Sequence, residues 1–385
     1  MTRASEFAVA SVSDVHVGNH AAAGGQVYAG LNQRCRDVVH ALRRAVVAAE
    51  EAGAEHFVVN GDLFDTHRPS PQVIHAVGTV LSSFPNYVHL VRGNHDAASQ
   101  ALDDDALAPL GLIDNVEVWD EPGSAQVATW NLLFVPYQPG HAKLWLPGAL
   151  DVALEGRLPN GDRSALFVHV GLRDEVSGGG HPWAREAEDA IDVDLLASMC
   201  ASRGISRVFA GNWHHRRVFE FSGVRMEQVG TLAPTGWDNA GLGDAFGNVA
   251  ILHGPGGETS SVQVACPRFI QDTPERVALM AAQIRRRLDE GCPVHVRFIV
   301  SEARGDTATA AQVAADLGLT SWRAVVDKQE VRLRALTAAS LARSKETIEG
   351  SLEQYVATKL ADRPPSRRAA VLARAKILVA GEGRR

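Results

Sequence analysis

Cysteine is scarce: in 385 residues there are four, Cys35, Cys200, Cys266 and Cys292, all far apart. With no C-x-x-C pair, neither a disulfide framework nor a thiolate zinc site is expected, and a reducing, cytoplasmic setting fits. Long apolar runs are missing as well, so no membrane span is expected. The opening MTRASEFAVASVSD has an apolar stretch too short for a secretory leader. Positive charge is in deficit, 38 Lys and Arg against 45 Asp and Glu, a net charge of -7 that does not advertise a phosphate-tracking surface. No internal repeat or low-complexity block is present, which excludes a solenoid or a fibrous array.

What is present is enough apolar material, 45% of residues, to fill the core of one large domain and a smaller one. The charge is uneven. Residues 363–385 hold seven basic residues and one acid, Glu382, a tail of +6 that leaves -13 for the remainder. A basic tail of this kind is either a DNA-phosphate contact or a solvated helix face.

Short β-rich runs are expected at Phe7 to Val12, His56 to Val59, Tyr87 to Val91, Ala165 to Val168 and Arg207 to Phe209. Leu31, Cys35, Val38, Leu42, Val46 and Ala49 recur at three- and four-residue steps and predict an amphipathic helix between the first two. Residues 250–268 read as closing strands. Near 270 the pattern changes: Thr273 caps and Pro274 starts a helix that runs through Leu288, followed by a β run at Val294 to Val300, a helix at Ala308 to Leu317 and a β run at Trp322 to Val326. Two amphipathic stripes end the chain, Ile348, Leu352, Tyr355 and Val356, then Val371, Leu372, Ala375, Leu378 and Val379. The expected domains are therefore 1–268, an α+β module at 269–335, and a helical segment at 336–385.

Five β runs end in residues that bind hard or borderline metals: Ser13-Asp14-Val15-His16, Gly61-Asp62-Leu63-Phe64-Asp65, Gly93-Asn94-His95-Asp96, His169-Val170-Gly171 and Gly211-Asn212-Trp213-His214-His215. In extended backbone the D-x-H spacing points Asp14 and His16 the same way. Any single group is more often a turn former than a ligand. Five in order, all at strand ends, point to a metal centre. Carboxylate, imidazole and amide ligands without thiolate suit Mn²⁺, Fe²⁺ or Zn²⁺, and a pair of such ions about 3.5–4 Å apart can clamp an in-line displacement at phosphorus. Asp62 is the natural carboxylate to bridge them. The scattered His20, His40, His56, His75, His89 and His295 are read as core, surface or supporting residues.

The order D-x-H, G-D-x-x-D, G-N-H-D, H and G-x-x-H over residues 14–214 resembles the calcineurin-like metallophosphoesterases. The resemblance implies a four-layer α/β fold, two sheets flanked by helices. It also implies that Asp14, His16 and His214 hold one metal, Asp62 bridges, and Asn94, His169 and Asn212 hold the second. His95 would then be the general acid or a stabiliser of the transition state. One position departs: the family's Gly-His-x-His is here Gly211-Asn212-Trp213-His214, so the second metal gains an amide oxygen in place of an imidazole and binds more weakly. A register that uses His215, or an Asn212 that only makes a turn, are the alternatives. Trp213 is either a stacking platform or a wall of the pocket.

Gly61 to Pro71, with Gly-Asp-Leu-Phe and then Arg68-Pro69-Ser70-Pro71, is similar to the SbcD branch of nuclease subunits, as is a core followed by a small cap and terminal helices. That resemblance implies Mn²⁺-dependent 3′ to 5′ exonuclease and single-strand endonuclease activity on DNA in a bacterial cell or a phage-infected bacterium. It further implies an SbcC-type ATPase docked on the terminal helices and a homodimer. His67 and Arg68 are the expected phosphate contacts. The rivals are a small-substrate phosphatase or phosphodiesterase, which needs no cap, and a DNA-end scaffold with a weakened second metal, which has no use for His95.

Overall fold

The computed structural model describes residues 7–19, 27–98, 105–155, 163–174, 187–237, 241, 243, 245–301, 304–326, 355–356, 359–360 and 363–382. His20, Ile348 and Leu352 lie outside the described residues. In chain order the first half contains β1 (Ala8–Val12), α1 (Gln33–Glu51), β2 (Ala54–Asn60), α2 (Pro71–Leu81), β3 (Tyr87–Val91), β4 (Val116–Trp119), β5 (Gly123–Val127), β6 (Trp130–Val135) and α3 (Ala142–Glu155). It continues with β7 (Arg163–Val168), β8 (Gly171–Arg173), β9 (Ala190–Asp192), α4 (Val193–Ala201), β10 (Ile205–Ala210), β11 (Arg217–Phe221), β12 (Val224–Gln228), β13 (Asn248–His253) and β14 (Glu258–Gln263).

These strands build two six-stranded sheets, ordered β14-β13-β1-β2-β3-β4 and β11-β12-β10-β7-β6-β5. Side-chain alternation on β1 explains how each sheet finds two partners. Ala8, Ala10 and Val12 point to α1 and α2, whereas Phe7 and Val9 meet Trp130, Phe134, Phe167 and Phe209 of the second sheet. The outer face of that second sheet packs on α3 and α4 through Leu133, Leu146, Leu166, Leu196 and Val208. The result is the expected four-layer sandwich, helices, sheet, sheet, helices.

His56 and His89 sit inside the sheet-sheet layer and form part of the core rather than any ligand group. Trp119 Nε1 donates to His89 Nδ1 at 3.1 Å, so the His89 proton sits on Nε2 and is given to His56 Nδ1 at 2.7 Å. Burial, with the neighbouring His89 second, lowers the His56 pKa to about 4. The two imidazoles thus satisfy each other where water is excluded.

Beyond the sandwich lie β15 (Arg268–Asp272), α5 (Pro274–Leu279), α6 (Ala281–Asp289), β16 (Val294–Val300), α7 (Arg304–Asp316), β17 (Ser321–Val326) and α8 (Pro365–Glu382), with β15, β16 and β17 forming a three-stranded sheet. Thr273 caps α5 and Pro274 opens it as expected, but the helix to Leu288 is interrupted at Met280, whose φ of -88° and ψ of 8° end one helix and start another. Compactness divides the chain into residues 1–298 with 309–323, and residues 299–308 with 324–385. Within the second unit α8 spans the second amphipathic stripe, with Val371 exposed.

Candidate metal centre

β1, β2 and β3 are parallel neighbours in one sheet, and β7 and β10 are parallel neighbours in the other. Their carboxyl ends therefore open on one edge of the sandwich, and all five motif loops leave from there. Asn60, fully buried at the end of β2, ties the two sheets at this edge through Nδ2, which donates to the carbonyls of Phe209 at 2.7 Å and Val168 at 3.1 Å.

The loops are tightly wound. Asp14, His16, Asp62 and Asn212 have φ of 50°, 49°, 51° and 78°, in the left-handed region. Asp14 and His16 do converge, but by this winding and not by the strand alternation expected from the D-x-H spacing. The strain is held by the Asp14 N–H on the Gly61 carbonyl at 3.1 Å and the His16 N–H on the Asp62 carbonyl at 3.0 Å. Glycine is required where the loops touch: a Cβ on Gly61 would lie 1.9 Å from His169 Nδ1, and one on Gly93 would lie 2.2 Å from the Asp62 amide nitrogen.

Among the described residues three groups of donor atoms form, each with its atoms within 4.8 Å of one another: Asp14, His16 and His214; His16, Asp62 and His95; Asp14, Asp62 and His169. Asp62 belongs to two of them. Oδ2 of Asp62 is 3.4 Å from His169 Nε2 and 3.8 Å from His16 Nε2. Asn94 joins through Oδ1, 3.0 Å from His169 Nε2.

Proton placement shows what this cluster is suited to hold. His169 Nδ1 donates to the Asn60 carbonyl at 3.0 Å, which fixes the ring so that Nε2 faces the Asp62 carboxylate and the Asn94 amide oxygen, where a cation can take the place of its proton. On the other side, His16 and His214 point Nε2 at Nε2 across 3.2 Å. Burial holds His16 at about 3, so at least that ring is neutral and presents a lone pair. Converging lone pairs require positive charge between them. The same demand is visible at His169: burial lowers its pKa, but the Asp62 carboxylate, with Asp14 behind it, overrides burial and pushes it up to about 10. Asp62 is held below the usual carboxylate range: burial raises it, but the attraction and hydrogen bond of His169, together with the other imidazoles around it, outweigh that burial. This donor set fits divalent cations and no thiolate takes part.

Asn212 is placed differently from the imidazoles. Its backbone N–H donates to both oxygens of Asp14, at 3.0 and 3.1 Å, and its Nδ2 donates to the Asp189 carbonyl at 3.2 Å. The carboxamide is thereby oriented, with Oδ1 as the branch that keeps lone pairs to offer. His215 is outside the three donor groups, with its ring 6.4 Å from that of Phe246. Trp213 walls the pocket against Gly171, where a Cβ would come within 2.3 Å of the indole nitrogen.

His95 is exposed, unlike the buried Asp14, Asp62 and His169. Its backbone N–H donates to Asp62 Oδ1 at 2.8 Å, and its Nδ1 donates to the Asp65 carbonyl at 3.1 Å. Nε2 is therefore the ring atom left to exchange a proton with solvent or substrate. His67 and Arg68 are exposed on the loop after β2 that also carries Asp62 and Asp65, and the Arg68 N–H donates to Thr66 Oγ1 at 3.4 Å.

Several supporting residues have no signature in a linear reading. Arg34, fully buried on α1, gives Nη1 to the carbonyls of His16 at 3.2 Å and Gly18 at 3.4 Å, and Nη2 to Pro234 at 3.4 Å. Ser13 binds the Asn60 carbonyl at 2.9 Å and the Asp14 carboxylate, and Thr231 holds the Asp14 carbonyl. Asp96 accepts the N–H groups of Gly93 and Phe64 at 3.0 Å and Leu63 at 3.3 Å, and burial pushes it up to about 7. Of these Ser13 and Asp96 were visible beforehand, as the first letter of the first motif and the last letter of the third.

The profile of the calcineurin-like phosphoesterase family matches residues 7–216. Among curated proteins, the DNA double-strand break repair protein Mre11 of Archaeoglobus fulgidus is 25% identical over 243 residues, which are 58% of this chain and 49% of that protein. The match thus spans about half the length of that relative. A dimetal phosphatase from Danio rerio is 16% identical with a TM-score of 0.40, covering 67% of this chain and 98% of that one. An archaeal phosphodiesterase is 13% identical with a TM-score of 0.36, covering 66% and 99%.

Proposed function

The chain belongs to the calcineurin-like phosphoesterase family, and from that premise we propose that it is a two-metal phosphodiesterase acting on DNA, the nuclease subunit of an SbcCD-like repair or recombination complex. The observation that carries the hydrolytic reading is the Asp62 carboxylate shared by two donor groups whose lone pairs converge. In this reading Asp14, His16, Asp62 and His214 hold one divalent cation, and Asp62, Asn94, His169 and Asn212 the other. Bound there, such ions, with Mn²⁺ proposed, would neutralise phosphoryl oxygens and acidify a water.

The rest of the work falls to the protein. Asp62 keeps His95 in place through the 2.8 Å bond to its N–H, and the Asp65 carbonyl fixes the ring so that Nε2 meets the leaving oxygen and gives it a proton. Arg34 and Thr231 hold the wound loop that carries Asp14 and His16. Arg68 and His67, exposed beside this site, are proposed to contact the flanking phosphates.

DNA as substrate is supported by the Gly61 to Pro71 segment and by the Mre11 match, and a small phosphodiester is the second reading, favoured by the net charge of -7. End-labelled duplex DNA and bis-p-nitrophenyl phosphate, each offered with Mn²⁺, Mg²⁺, Zn²⁺ or a chelator, decide between them. Degradation of the duplex from its ends with Mn²⁺ is expected; turnover of the small diester alone sinks the DNA assignment. The cap at 269–335, the ATPase-docking segment at 336–385 and a homodimer belong to the same proposal. Removing 345–385 should abolish co-purification of an SbcC-type ATPase and leave the small-diester activity in place.

Asn212 gives a separate expectation. An amide oxygen is a weaker donor than an imidazole, so calorimetric titration should show one tight and one weak cation. Asn212→His should tighten the weak step by roughly tenfold or more. If the two steps are already equal in the wild type, Asn212 is no handicap and the asymmetry is refuted.

A further inference from the structure

A second cluster stands apart from the metal centre. A cavity of about 440 Å³ lies between α1 and the ends of β16 and β17, lined among others by Gln33, Asp37, His295, Ser321 and Trp322. Asp37 and His295 are 5% and 2% exposed, and Trp322, at 40%, is open to solvent. His295 Nε2 is 3.0 Å from Asp37 Oδ2, and His295 Nδ1 is 2.7 Å from Ser321 Oγ.

The proton directions in this array follow from its ends. A carboxylate only accepts, so the imidazole proton is on Nε2 and is given to Asp37. Nδ1 is then bare and accepts the Ser321 hydroxyl proton. Gln33 Nε2 donates to the other Asp37 oxygen at 2.8 Å, and Phe269 stacks on the His295 ring at 4.8 Å, so both the carboxylate and the ring are held. Nucleophile, base and orienting carboxylate recur on unrelated folds and are recognised by these roles and distances, with no fixed sequence order.

We propose that Asp37, His295 and Ser321 form a second, metal-independent hydrolytic site for small carboxylic esters, with Ser321 Oγ as the nucleophile. Oγ attacks the ester carbonyl carbon and its proton passes to His295 Nδ1. The bond to the alcohol breaks, and the alcohol leaves with that proton. Water then adds to the acyl carbon while His295 Nδ1 takes one of its protons. The bond to Oγ breaks, the carboxylic acid departs and the proton returns to Ser321. Asp37 keeps the ring in the productive tautomer throughout, and the face of Trp322 suits an aromatic ester.

The test uses the full chain stripped of metal with a chelator, so that the phosphoesterase centre is silent. A fluorophosphonate probe should label Ser321, located by peptide mass spectrometry, and p-nitrophenyl butyrate should be hydrolysed about 100-fold faster than in buffer, the lower end of what a positioned base supplies. Ser321→Ala should lose both signals. Asp37→Asn, which preserves shape, should slow labelling at least tenfold, because the orienting acceptor is lost. A purely structural latch between α1 and β16 would give no Ser321 adduct, or one formed equally fast in Asp37→Asn, and either result overturns the proposal.

Discussion

Asp62→Ala is expected to lose about a thousandfold in kcat/KM on any phosphodiester the protein cleaves, on the order of 4 kcal/mol of transition-state stabilisation. Two losses combine in this variant. Oδ2 is the oxygen that faces both His16 and His169, so neither side of the cluster keeps its shared carboxylate. Oδ1 is the acceptor of the His95 N–H, so the loop bearing the proton donor is released as well. Asp62→Asn separates the two, since its amide oxygen can still accept the His95 N–H while the charge is gone. It should be nearly as inactive as the alanine variant, because charge and not anchoring dominates. Thermal melts supply a readout without turnover: wild type at a Mn²⁺ concentration 100 times its dissociation constant gains about 2.7 kcal/mol from a single site, and both variants should gain far less. Activity within tenfold of wild type in Asp62→Ala would remove the bridging role altogether.

The sandwich was legible because its central strands are short apolar runs with one helical stripe between them, and the same strand ends that were read as β carry the ligand motifs. Less was visible at the edges. β5, Gly-Ser-Ala-Gln-Val, has little apolar character, and β11 is largely exposed, so neither shows the signal of a buried strand. The helix expected to reach Leu288 breaks at Met280, a residue with no turn chemistry of its own.

At the site, ligand identity could be read and ligand posture could not. Asp14 and His16 converge through left-handed backbone that no D-x-H spacing announces. What holds that backbone comes from far along the chain: Thr231 is 217 residues from the Asp14 it contacts, and Arg34 is 200 residues from Pro234. A buried arginine or threonine that binds carbonyls leaves no periodic trace. Asn212 lies between these cases. Its identity was the visible anomaly, yet only the structure shows that its N–H serves Asp14 and its Nδ2 serves Asp189. His295 was read as core or surface; it is buried, and its two ring nitrogens are engaged by Asp37 and Ser321.

His95→Gln should separate two kinds of substrate. With DNA the leaving oxygen is an alkoxide that must be protonated as the bond breaks, and loss of the donor is expected to lower kcat by roughly 10²- to 10⁴-fold. With bis-p-nitrophenyl phosphate the departing phenolate is stable unprotonated, so the same variant should fall by less than about tenfold. The geometry supports this split: His95 is the exposed imidazole of the cluster, its Nδ1 is committed to the Asp65 carbonyl, and its Nε2 is the atom left for substrate. His95 is also within reach of His16 and Asp62, so it could instead be a metal ligand. Calorimetry tells the two apart, because a proton donor can be removed with the cation affinities unchanged and a ligand cannot. Equal losses on both substrates together with weakened metal binding would transfer His95 from proton donor to ligand, whereas a large loss on DNA alone, with metal binding intact, assigns the leaving-group proton to its Nε2.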